Sequence, residues 1–169
     1  GTGTAGYNGD GRAASTAQKE AITKFISLAK KYEGTTREAA ILIRLLEAQE
    51  VSANLEFRIA HGEAHASHKP VNLAAYQAAI QRMVDTSTRV IQRHPNFEEI
   101  VRAYYSRAYG YSELKKIADA KRDYDLLTAK FPETPWAVRG NLALAGFATE
   151  DRDHKKAIDI CILLRCFFL

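Results

Sequence analysis

The sequence predicts an all-α protein, an array of about seven helices joined by short turns. Three observations carry this. From Ser15 onward, apolar residues recur at steps of three and four, the period of one helix face. The 169 residues hold only 10 glycines and 4 prolines, so long helices can run uninterrupted. A shift of 37 residues maps Pro95 onto Pro132, Val101 onto Val138, Arg102 onto Arg139, Ala108 onto Ala145 and Ala120 onto Ala157. One helical hairpin is therefore followed by a second, degenerate copy of itself. With 46% hydrophobic and 26% charged residues, the composition is that of a globular domain and argues against disorder.

Residues 1–14 are rich in glycine without apolar periodicity, which predicts a flexible linker ahead of a single domain over 15–169. Gly3 to Ala14 resembles part of an NHL-type propeller blade, but one fragment of a blade cannot bury a propeller core. Ser15 with Gln18 is expected to cap the first helix, whose buried stripe is Ile22, Phe25, Ile26, Leu28 and Ala29 and whose stop is Gly34. Thr35 with Glu38 forms a second capping box, opening a helix with Ala39, Ile41, Leu42, Leu45 and Leu46 that ends near Ala60, before Gly62. Pro70 is a good first-turn residue for a third helix carrying Leu73, Tyr76, Ile80, Met83, Val84, Val90 and Ile91 up to His94-Pro95. Four more helices are expected near 97–113, 116–130, 135–148 and 153–168.

Tyr104, Ala108, Tyr111, Ala120, Tyr124 and Pro132 read as Y-x3-A-x2-Y-x8-A-x3-Y-x7-P. The alanines suit a close helix crossing, the tyrosines fill the space beside it, and Pro132 stops the second helix. This pattern resembles the tetratricopeptide repeat, a helix–turn–helix unit of about 34 residues. The resemblance is clearest over 95–160 and departs at Arg107, where leucine is usual, and at Leu127, where alanine is usual. In the second copy Tyr104, Tyr111 and Tyr124 become Asn141, Ala148 and Cys161, while Leu144 replaces Arg107. The resemblance implies a right-handed solenoid whose concave face holds a protein or peptide segment.

On that face the resemblance places Arg102, Tyr105 and Tyr109, with Arg139 and Leu142 as the counterparts of Arg102 and Tyr105 in the next hairpin. Aromatic and arginine side chains are the usual interface anchors, and the arginines favour an acidic or carboxylate-bearing ligand. Trp136 is expected to pack between repeats. The leading expectation is a non-enzymatic scaffold without a cofactor: no Gly-rich phosphate loop, G-x-S-x-G or C-x-x-C occurs. A net charge of +4 falls short of the dense basic stripe of a nucleic-acid binder, and no apolar run reaches the length of a membrane span.

The alternative expectation is a metal-responsive or enzyme-attached regulatory domain working through His61, His65 and His68, which would share one helix face if the second helix reached them. Gly62 and Pro70 instead predict a loop of solvated histidines with no metal assigned. The segments Phe25–Tyr32 and Phe131–Ala137 resemble repeats of bacterial outer-membrane assembly and cell-division coordinators, which implies an envelope setting. Cys161 and Cys166, about 140° apart on a helix, predict free, packed thiols. The apolar end, with Leu163, Leu164, Phe167 and Phe168, predicts self-association or a further repeat.

Overall fold

The computed structural model describes residues 4–165, with side chains from 11 to 164. The described residues form seven α-helices and no strand: α1 (Thr4–Lys31), α2 (Thr36–Ser67), α3 (Ala74–Arg93), α4 (Ile100–Glu113), α5 (Ile117–Lys130), α6 (Pro135–Glu150) and α7 (His154–Arg165). They divide into two compact units, Gly1–Phe97 and Glu98–Leu169, where a single domain from Ser15 was expected.

In the first unit, α1 and α3 both pack on α2. Helix α1 begins at Thr4, so Thr4 to Ala14 belong to a helix and not to a linker. The reason lies in partners too distant in sequence to be foreseen. Arg12 bonds Glu63 at 2.7 Å, and the Ser15 hydroxyl donates to Glu56 at 2.8 Å, so Ser15 is an interior anchor and not a cap. Ile22 and Ala29 of the expected stripe are buried, whereas Ile26 is 50% exposed.

Gly34 turns the chain between α1 and α2 at φ +79°, a conformation that only glycine adopts without strain. This aims the Gly34 N–H at Glu38 Oε2, 2.7 Å away. The expected capping box is therefore displaced: the Thr35 hydroxyl donates to the Tyr32 carbonyl, and Glu38 reaches past Thr35 to Gly34. Glu38 is fully buried. Arg89 donates to its Oε1 through Nε at 2.8 Å and Nη2 at 2.5 Å, Arg93 adds a bond at 3.3 Å, and His94 Nε2 lies 3.2 Å from Oε2. Burial alone would push the carboxyl up. The Gly34 amide, Arg89 and His94 outweigh burial and hold it below the ordinary 4.5. Glu56, also buried, is likewise pushed up by burial but held low by Lys19, 2.7 Å away, and Ser15.

The second unit repeats itself in its backbone. Lys115 and Arg152, which are 37 residues apart, both adopt left-handed φ, 61° and 59°. Each follows the same turn bonds: Lys116 N–H to Tyr111 C=O at 2.9 Å recurs as Asp153 N–H to Ala148 C=O at 2.8 Å. These six-to-one bonds close each helix with a Schellman turn. The period also reaches back to the end of α3, where His94 N–H donates to Val90 C=O as Phe131 N–H does to Leu127 C=O. The caps of α3 and α5 share their dihedrals, φ −131° and ψ 54° against φ −132° and ψ 51°.

Ala108 and Ala120 are fully buried, as the sequence pattern requires, and Tyr104, Tyr124 and Leu127 are buried with them. Arg107, the departure from the pattern, grips Asp123 of α5 through Nε at 2.6 Å and Nη2 at 3.0 Å. In the second hairpin the equivalent positions are Leu144 and Ile160, so an apolar pair replaces the ion pair. Thr134 caps α6, accepting from the Ala137 N–H at 3.2 Å, with Pro135 in the first turn.

Two measurements test these anchors. Changing Glu38→Gln removes the charge that Arg89 and Arg93 complement and should cost about 1–3 kcal/mol in urea unfolding at pH 7. Glu38 and Glu56 stabilise the fold fully above 4.5, and their contribution is lost as pH falls through their lower folded values. Acid unfolding should therefore begin below pH 4.5, and Glu38→Gln should flatten that dependence. Separately, Arg107→Leu alone leaves the buried Asp123 with only the exposed Arg122, 3.9 Å away, costing about 3–5 kcal/mol. Adding Asp123→Ile should recover most of it, because the pair then copies Leu144 and Ile160.

Candidate functional site

Helix α4 presents Arg102, Tyr105 and Tyr109 at offsets of three and seven, hence on one face. Helix α6 presents Trp136, Arg139 and Leu142 from its first turns. The structure brings four of these six together. The Tyr105 and Trp136 rings lie 4.9 Å apart at 43°. The Arg102 guanidinium sits 4.7 Å from the Trp136 ring, and Arg139 sits 5.0 Å from Trp136 and 6.0 Å from Tyr105. Trp136, assigned only a packing role by sequence, is thus the centre of the cluster. Pro135, which starts α6 one residue before it, was the signal available.

Tyr109 is half-buried, and Leu142 is 57% exposed. Tyr124 closes the cluster from below, 6.1 Å from Tyr105. Burial, with Tyr105 and Tyr109 beside it, pushes the Tyr124 phenol far above its ordinary range, so it remains a neutral hydroxyl. A guanidinium lying on an aromatic face keeps its N–H fork in its own plane, directed outward, which suits bidentate capture of a carboxylate. Arg139 is exposed at the surface with its guanidinium 5.0 Å from the Trp136 ring.

The histidines stand differently from the sequence expectation. Helix α2 runs through Gly62 to Ser67, so His61 and His65 are helical and not in a loop. His68 caps the helix in the left-handed region at φ 51°, which breaks the common face. The His61 ring lies 4.3 Å from Phe57, tilted at 47°, and Glu63 is taken by Arg12. Among the described residues no three His, Cys, Asp or Glu side chains come together to hold a metal ion. Pro70 precedes α3 instead of entering it; Asn72 Oδ1 accepts from the Ala74 N–H at 3.0 Å and starts the helix.

A cavity of about 520 Å³ opens between α1, α2 and the start of α3. Its charged groups are mutually satisfied, Arg12 with Glu63 and Lys19 with Glu56. No described helix is long and apolar enough to cross a membrane. Family models, curated proteins and solved structures give no match to this chain.

Because its ring packs on Trp136 and Tyr124, Tyr105 carries structural weight besides any binding role. Tyr105→Ala should lower the unfolding free energy by about 1–3 kcal/mol, whereas Leu142→Ala should change it by less than about 0.5 kcal/mol. Thermal melts of the two variants decide this.

Proposed function

We propose that this chain is a helical-hairpin repeat protein of tetratricopeptide type, acting as a non-enzymatic scaffold that holds an acidic protein or peptide segment. The observation that carries the reading is the cluster of Arg102, Tyr105, Trp136 and Arg139, in which two guanidiniums rest on one indole. The aromatic rings supply rigid contact area, and the arginines supply charge and directed donors. The 37-residue recurrence of turn bonds and left-handed residues supports the repeat architecture. Tyr109 and Leu142 extend the surface along α4 and α6.

Trp136 is the sole tryptophan, so its fluorescence reports directly on this surface. Peptides selected on the wild-type protein from a random display library should be enriched in Asp and Glu and should perturb Trp136 emission. Binding should weaken with added salt. Arg139→Glu should reduce affinity at least about tenfold without altering the melt. Selected peptides that are neutral or basic, or that leave Trp136 emission unchanged, would refute the assignment.

A further inference from the structure

Among the described residues, α1 and α3 both pack on α2 but not on each other, which leaves a groove between them with α2 as its floor. Toward the turn at Gly34 this groove widens into a cavity of about 260 Å³. Its apolar walls are Ile26 and Ala29 of α1 with Leu42 and Leu45 of α2. Ile26, expected in the buried stripe of α1, is 50% exposed because it lines this opening.

Leu42, Leu45 and Gln49 follow at offsets of three and seven, hence on one face of α2, where the glutamine interrupts an apolar stripe. Gln49 lines the same cavity and is only 4% exposed, yet its Oε1 has no hydrogen-bond partner among the described residues. A buried acceptor left unmet costs stability that a leucine at the same place would not. The terminal amide turns easily about its last torsion, so a donor entering the cavity can reach this oxygen. The rim comes from α3 and carries both signs of charge. Arg82 and Asp85 are exposed and line the cavity one turn apart. Asp85 accepts from the neutral Gln81 amide at 2.8 Å, and Arg82 acts on Glu56 through space. Arg89, the other cation of the lining, is taken by Glu38.

Apolar exposure alone defines no ligand. On α7, Leu163 is 52% exposed, but Leu164, expected to share its surface, turns inward at 6%. The Cys161 thiol, expected to be packed, is exposed. Cys166, Phe167 and Phe168 lie outside the described residues.

We infer that the cavity beside Gln49 binds a free aromatic amino acid whose ring carries a hydrogen-bond donor, tryptophan or tyrosine. The ring lies against Ile26, Leu42 and Leu45 with its N–H or O–H donating to Gln49 Oε1, the α-carboxylate meets Arg82, and the α-ammonium meets Asp85. The size agrees: a cavity of about 150 Å³ holds benzene, and this one adds room for a second ring or the amino-acid head. Water in the cavity meets Gln49 but gains nothing from the apolar walls, and a purely apolar ligand leaves Gln49 unmet. The site lies wholly within the first unit and is independent of the surface on α4 and α6.

Titration calorimetry of the whole chain with L-tryptophan should show one site with a Kd below about 1 mM. 3-Benzothienylalanine, in which sulfur replaces the ring N–H, should bind at least about tenfold more weakly, as should tryptamine and indole-3-propionate, each lacking one charge of the head. Gln49→Leu should abolish the preference for tryptophan over benzothienylalanine while raising the melting temperature of the empty protein. Arg82→Gln should erase the difference between tryptophan and tryptamine. No binding at millimolar tryptophan, equal binding of benzothienylalanine, or a Gln49→Leu variant that keeps the preference would each overturn the inference. So would equal binding of N-acetyl-tryptophanamide, because the site would then accept a peptide side chain without the charged head.

Discussion

A carboxylate removed from water must be met by cations and amide donors, and three such carboxylates fix the packing within each unit. Glu38 and Glu56 lie on one face of α2, and their partners come from different directions. Arg89 and Arg93 reach Glu38 from α3, while Ser15 and Lys19 reach Glu56 from α1. Sliding either flanking helix by one turn would strand a buried charge, a far larger penalty than the loss of one apolar contact. Apolar stripes alone tolerate such slips. Ionic layers along α2 thus do for the first unit what Arg107 and Asp123 do for the hairpin of α4 and α5. The latter pair fixes one register with two parallel bonds.

Much of this fold is legible from periodicity. Helices α3 to α6 begin or end within a few residues of where apolar spacing and prolines place them, because those signals are local. The failures are the positions decided by distant partners. Gly62 did not end α2, and the glycines before Ser15 did not prevent a helix, since the packing of α1 along α2, with the buried Ser15–Glu56 bond, offsets a propensity cost of about 1 kcal/mol per glycine. Glu38 was legible as a cap because it stands three residues after Thr35. Its bonds to Arg89 and Arg93, 51 and 55 residues away, left no sequence signal.

The candidate site follows the same division. Helical spacing was enough to place Arg102, Tyr105 and Tyr109 on one face, and the 37-residue shift was enough to pair Arg102 with Arg139. Neither could reveal that both arginines share Trp136, because its counterpart in the first copy is Glu99 and no repeat logic points to an aromatic there. The histidines show the converse. A sequence cluster of one residue type suggests convergence, but an α-helix fans its side chains outward, and the left-handed turn at His68 carries the third one off the shared face.

Repetition explains both the order of the second unit and its asymmetry. Identical turns at Lys115 and Arg152 impose the same hairpin geometry, so the side chains on each hairpin can drift while the backbone path is kept. Arg107 and Asp123 drift to Leu144 and Ile160, apolar residues at the positions equivalent to the ion pair. Lys121 drifts to Ile158 in the opposite sense for solubility. On α5 this position is a lysine whose amine lies 5.7 Å from the Phe147 ring and pairs with Asp151, a contact that remains tolerable when wet. An isoleucine there keeps apolar bulk and gives up the charge, so the two hairpins share a backbone path while their surfaces differ in chemistry.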